Sequence, residues 1–210
     1  ARVRLREGDV YQVMSSITVA DEESLRAAGT RNEQWVAERY LQLPDTLPGR
    51  VRALARRLTR EQANNYDKAA AIENYLRQIK YNEEIQEPPA GVDAVDYFLF
   101  ESREGYCDYY ASAMVVLARA AGIPARLARG YATGERFPDS DVFRVREEDS
   151  HAWPEIYFPD YGWVEFEPTA NRPLIARPAP RPAAVAAPTK NEEPYNLPER
   201  DEMDRMPFQG

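Results

Sequence analysis

An α+β fold is predicted, on three observations. Between Arg50 and Ala121 apolar residues recur at steps of three and four, the helical period. Between Ala125 and Phe166 the period shortens to two, and aromatic and β-branched residues accumulate. From Arg172 onward, prolines at 173, 178, 180, 182, 188, 194, 198 and 207 stand among alanines and charges, a composition that cannot supply a core. Helices first and strands after them read as a helical layer on an antiparallel sheet. Three segments are expected: an N-terminal strand and connector over 1–49, a core over 50–171, and a Pro-rich tail or linker over 172–210.

Each element has its own reason. Val3, Leu5, Val10, Tyr11, Val13, Ile17 and Val19 alternate in places around Gly8-Asp9, which predicts two short antiparallel strands. Asp21 to Gly29 is a capped helical turn ending at a glycine. Arg31 to Tyr40 shows no clear period, and Leu41 to Pro48 is an extended connector, because each proline disfavours helix in the residue before it. Val51, Leu54, Ala55 and Leu58 form the stripe of one helix. Asn64 or Asn65 caps the next, with Ala69, Ile72, Tyr75, Leu76 and Ile79 inward. Glu83 to Gly91 is a loop, and Val92 to Glu101 a short helix with Val95, Phe98 and Leu99 inward. The following helix starts near Cys107, buries Tyr110, Met114, Leu117 and Ala121, and stops at Gly122 and Pro124. Strands follow at 125–133, 142–145, 151–158 and 163–166, with Gly134 to Asp141 a polar loop and Pro159-Asp160-Tyr161-Gly162 the last turn.

Composition excludes several classes. Lys plus Arg number 27 against 35 Asp plus Glu, so a net charge of −8 argues against nucleic acid as a partner. No run is long and apolar enough to span a bilayer. The chain opens at Ala1 without a methionine or a signal peptide, and an excised fragment is expected. One cysteine leaves no internal disulfide, and one cysteine with one histidine excludes a Cys/His-rich zinc site.

The same two single residues carry the chemistry. Cys107 falls in the first turn of a helix, where unpaired N–H groups and the helix dipole favour a nucleophilic thiolate. Taken alone, a single cysteine beside small residues is more commonly a small buried hydrophobe. His151, the only histidine, opens a predicted strand, and Glu165 and Glu167 lie on the next. Alternate strand residues share a face, so a hairpin pairing Tyr157 with Trp163 sets Trp153 opposite Glu167 and makes His151 its diagonal neighbour. A slip of one residue would break this arrangement. Asp149, Glu155 and Glu165 are rival carboxylates; Glu167 is the choice. Cys107, His151 and Glu167 would supply nucleophile, base and orienting carboxylate for acyl transfer through a thioester.

The resemblance rests on four motifs in order. They are Gly105-Tyr106-Cys107 with Tyr110-Ala111-Ser112-Ala113, Ala121-Gly122-Ile123-Pro124-Ala125-Arg126 with Gly130-Tyr131, His151-Ala152-Trp153-Pro154-Glu155, and Gly162-Trp163-Val164-Glu165-Phe166-Glu167-Pro168-Thr169. Over roughly residues 50–171 the chain resembles the transglutaminase-like superfamily with its papain-like core. It is most similar to the TgpA-type bacterial membrane transglutaminases, through Tyr11 to Ala28, Tyr40-Leu41-Gln42-Leu43-Pro44 and the Pro-rich exit. That family usually has Asp where this chain has Glu167, which keeps the charge and adds a methylene.

The resemblance implies a papain-like α+β core, with the Cys107 helix packed on an antiparallel sheet carrying His151 and Glu167. It implies acyl transfer from a glutamine-type amide of a protein or peptide to an amine, with no metal or organic cofactor. It also implies an extracytoplasmic domain of a bacterial membrane protein. A cysteine protease or amidase on the same residues, and a non-catalytic cell-envelope binding module, are the alternatives, since one fold hosts several activities.

Overall fold

The computed structural model describes residues 6, 8–15, 17–138 and 140–180. In the chain's first third come α1 (Glu22–Ala27), α2 (Gln34–Tyr40), α3 (Gly49–Thr59) and α4 (Asn65–Leu76). Then follow β1 (Lys80–Tyr81), α5 (Ala94–Tyr97) with a π-helical turn over Phe98–Ser102, β2 (Glu104–Gly105) and α6 (Cys107–Ala120). The remainder holds β3 (Ala125–Tyr131), β4 (Glu135–Arg136), β5 (Phe143–Arg144), β6 (Ser150–Phe158) and β7 (Gly162–Glu165). This is α+β, helices first, as the periodicities predict.

Helix starts follow their caps. The Asp21 carboxylate accepts from Ser24 N–H at 2.8 Å, and Asn64 Oδ1 accepts from Asp67 N–H at 2.9 Å. Of the two candidate asparagines, Asn64 is therefore the cap of α4. α6 ends where Gly122 takes φ +80°, and Ile123 N–H closes onto Ala118 O at 2.9 Å.

One core joins the layers. α6 lies between α3 and α4 on one side and β3 and β6 on the other. Val51, Leu54, Ile72, Leu76, Tyr110, Met114, Leu117, Ile156, Phe158 and Phe166 are all buried in it. Each large apolar side chain contributes about 1.5–3 kcal/mol. The main sheet has the order β3-β6-β7, antiparallel throughout, with Tyr157 opposite Trp163 as the hairpin argument required.

Four expectations are corrected, and one stretch left open is filled. Residues 8–15 and 17–20 carry no strand, and Val10, Tyr11, Val13, Ile17 and Val19 are exposed, so alternation without a partner strand forms no ladder. Val3 and Leu5 lie outside the described residues. The stretch from Arg31 to Tyr40 holds α2, which buries only Val36 and so leaves little periodic signal. The predicted helix over 92–101 is α5 plus the π turn, which brings Phe98 and Leu99 into the core. Glu135–Arg136, expected within the polar loop 134–141, is a strand that pairs with Phe143–Arg144 in a separate hairpin, so the strand expected at 142–145 does not join the main sheet; Val142, Phe143 and Val145 are exposed. Finally, Glu167 is not on the sheet: β7 ends at Glu165, and the side chains of Glu73 and Arg77 take over the backbone groups of Glu167.

Residues 172–180, expected in the tail, run along the core. Arg77 donates to Arg172 O at 2.7 Å, and the Arg177 guanidinium donates to Glu165 O. The rest of the predicted tail, 181–210, lies outside the described residues.

Candidate active site

Cys107 is the first residue of α6, and its position is fixed from upstream. β1 and β2 pair in parallel, with Tyr81 opposite Gly105, and Asn82 N–H donates to Gly105 O at 2.9 Å. Gly105 is required by packing: a Cβ there would stand 3.1 Å from the Phe98 ring and 3.0 Å from Tyr109 Cβ. The Tyr106 side chain does not cap α6. Among the described residues, neither Cys107 N–H nor Asp108 N–H is spent on a protein acceptor. The helix N-terminus thus presents free donors beside the sulfur.

His151 enters from the facing sheet. It sits on β6 opposite Gly130 of β3, and its ring stacks on Trp153 at 6.1 Å and 23°. Gly130 makes room for that indole, since a Cβ would meet Trp153 Cη2 at 3.1 Å. The indole also covers the imidazole on one side, and its own Nε1 is buried without a partner.

Glu167 is the carboxylate that reaches the histidine. His151 Nε2 and Glu167 Oε2 are 2.6 Å apart, with the two side chains only 8% and 10% exposed. Glu167 Oε1 accepts from Thr169 N–H at 3.0 Å. Its backbone N–H donates to Glu73 Oε1 at 2.7 Å, and its carbonyl accepts from Arg77 at 2.8 Å. Every polar group of the residue is therefore held, and the carboxylate has little freedom. Two rival carboxylates are engaged elsewhere: Asp149 accepts from Arg146 N–H at 2.7 Å, and Glu155 pairs with Arg126.

The electrostatics follow from these contacts. The Cys107 sulfur, and then the hydrogen bond to Glu167, outweigh burial and raise His151 to about 9. With Nε2 given to Glu167, Nδ1 is the nitrogen left for the sulfur. Burial pushes Glu167 up, but hydrogen bonds from His151 and Thr169 outweigh it and hold it below the usual carboxylate range. Burial raises Glu73, against the opposing hydrogen bond from Glu167 N–H and the nearby guanidinium groups. The arrangement can hold a charged imidazolium at neutral pH between a sulfur and a carboxylate.

Two open cavities flank this set. One, about 430 Å³, is lined by Tyr81, Glu83, Tyr106, Cys107, Glu148 and Ser150, among others. The other, about 490 Å³, includes His151, Trp153, Glu167, Arg172 and Ile175 in its wall. A substrate in the first has direct access to the sulfur. Among the described residues no three or more His, Cys, Asp and Glu side chains converge as a metal-binding group.

Sequence reasoning missed Glu73, Arg77 and Thr169. Glu73 had a readable signal, being a charged residue next to Ile72 on the buried side of α4. Arg77 and Thr169 had none, because their partners are backbone carbonyls and a carboxylate about 90 residues away in sequence or two residues away in a loop.

Comparison with known proteins bears on the family and the fold. The family model described as the transglutaminase-like superfamily matches residues 52–168. A protein of Bacillus subtilis (strain 168), YebA, is 43% identical over 169 residues, which is 76% of this chain and 23% of that protein. A protein-glutamine gamma-glutamyltransferase of Pseudomonas aeruginosa is 40% identical over 131 residues, 62% of this chain and 20% of that one. The chain thus spans less than a quarter of either relative. The crystal structure of the periplasmic domain of TgpA from Pseudomonas aeruginosa superposes with a TM-score of 0.58 at 37% identity, over 66% of this chain and 48% of that one. A structure from Cytophaga hutchinsonii shares the fold at 23% identity and a TM-score of 0.52, over 71% of this chain and 47% of that one.

Proposed function

This chain belongs to the transglutaminase-like superfamily, and on that premise we propose that it catalyses acyl transfer from a glutamine side-chain amide to an amine through a thioester on Cys107. The observation that carries the reading is the buried His151–Glu167 contact, together with Cys107 at a helix start.

The steps balance without a further reagent. Cys107 Sγ attacks the carboxamide carbon, and the C=O electrons move onto oxygen. The oxyanion is met by the Cys107 backbone N–H. The intermediate collapses, the C–N bond breaks, and the His151 imidazolium gives its proton to the departing ammonia. A primary amine then attacks the thioester, His151 takes its proton, and the thiolate leaves. Glu167 keeps the ring oriented and favours its charged form in both halves.

The same premise supports an extracytoplasmic setting, since one structural relative is a periplasmic domain. Among the described residues no helix is long and apolar enough to cross a membrane. The acyl donor is proposed to be a protein or peptide glutamine, from the printed activity of the Pseudomonas aeruginosa relative.

Incubation with a glutamine-containing peptide and a fluorescent primary amine tests the reading. Amine incorporation that disappears in Cys107→Ala supports it. Ammonia release without incorporation would make the protein an amidase. Incorporation that persists in Cys107→Ala would remove the nucleophile.

A further inference from the structure

We propose that the Tyr81 hydroxyl is the second oxyanion donor of this site, completing the pair begun by the Cys107 backbone N–H. The assignment rests on the acyl-transfer reading above and adds a residue to it. Tyr81 lines the cavity that contains the sulfur. Its backbone is locked to the residues before Cys107, because Tyr81 pairs with Gly105 and the next N–H, that of Asn82, donates to Gly105 O at 2.9 Å. Its ring stacks on Tyr110 at 6.5 Å and 27°, and Tyr110 is itself anchored by a 2.7 Å bond from its hydroxyl to Ile79 O. The phenol is therefore carried by the same rigid piece as the nucleophile, which is the requirement for a donor aimed at developing charge.

In the resting protein the hydroxyl donates to Glu83, whose side chain is exposed. Rotation about the C–O bond re-aims the proton into the cavity without moving the ring. When Sγ bonds to the amide carbon, the oxygen acquires a full negative charge and outcompetes a solvated carboxylate for that proton. Tyr81 donates a hydrogen bond and keeps its proton throughout. Burial, then the bond to Glu83, raises the phenol to about 12, so it remains a donor over the working range. Glu83 acts as the acceptor that occupies the hydroxyl until substrate arrives.

Steady-state kinetics of Tyr81→Phe and Glu83→Gln, with iodoacetamide alkylation of Cys107 run in parallel, test this. Tyr81→Phe keeps the stacked ring and should lower kcat by about 10²–10³-fold with KM little changed. Its alkylation rate should match the wild type, because alkylation forms no oxyanion. Glu83→Gln should keep or raise kcat. A Tyr81→Phe variant with wild-type kcat overturns the assignment while leaving the acyl-transfer reading intact. So does a Glu83→Gln variant as slow as Tyr81→Phe, or a Tyr81→Phe loss matched by slower alkylation. A wild-type protein that transfers no acyl group removes the underlying reading and this assignment with it.

Discussion

Replacing Glu167 by Gln should move the alkaline limit of activity downward. The carboxylate accepts two bonds at once, one at each oxygen, from His151 Nε2 at 2.6 Å and Thr169 N–H at 3.0 Å. A carboxamide has a single acceptor oxygen, so one of the two donors is left facing an NH₂ group. Losing a hydrogen bond to a charged group costs about 1.5–3 kcal/mol. The titration changes as well. Cys107 and Glu167 together raise His151 to about 9, and an opposite charge at this distance accounts for about 1–3 pH units. Without the carboxylate, the alkaline limb should fall from about 9 to about 6–8. The direction for stability follows. His151 is raised in the folded state, so its contribution is fully present below its ordinary value of 6.5 and is lost as pH rises through about 9. Urea unfolding should therefore separate wild type and variant most near neutrality, with the gap narrowing above pH 9. The assay is kcat/KM for amine incorporation from pH 5 to 10, with urea midpoints at the same values. A Glu167→Gln profile whose alkaline limb stays at about 9 would refute the reasoning, because the carboxylate would then not be holding the imidazolium.

Three further outcomes are expected. His151→Ala should lower kcat by about 10²–10⁴-fold; a loss below about tenfold would contradict its role in proton transfer. Arg77→Ala should destabilise by about 2–4 kcal/mol, read by chemical denaturation, because one guanidinium satisfies the carbonyls of Glu167, Thr169 and Arg172 and its loss strands all three. Gly105→Ala should cost about 1–3 kcal/mol and slow Cys107 alkylation, since the added methyl meets Phe98 and Tyr109 at the start of α6; unchanged values for both would mean that this turn yields freely.

The parts legible in the sequence were those with a period. The stripes of α3, α4 and α6 and the pairing of Tyr157 with Trp163 came from spacing alone, because each buries one face over several turns or rungs. Proximity of His151 and Glu167 followed from the same pairing, although Glu167 itself lies past the end of β7. What escaped has no period. β1 and β2 are two residues each and join segments 24 apart in sequence, too short for alternation to register, yet they seat both Tyr81 and the start of the cysteine helix. The clamp of Glu73 and Arg77 on Glu167 uses backbone groups, which every residue type possesses. Residues 10–19 show the reverse failure: their apolar alternation is plain, but among the described residues they pair with no strand.

The most direct measurement is intact and peptide-level mass spectrometry of the protein quenched in acid during turnover of a glutamine peptide without amine. Donor mass less one ammonia should appear on the peptide bearing Cys107, and should vanish when a primary amine is added before quenching. Steady turnover with Cys107 unmodified under these conditions, or acylation at any other residue, would contradict a thioester at this sulfur.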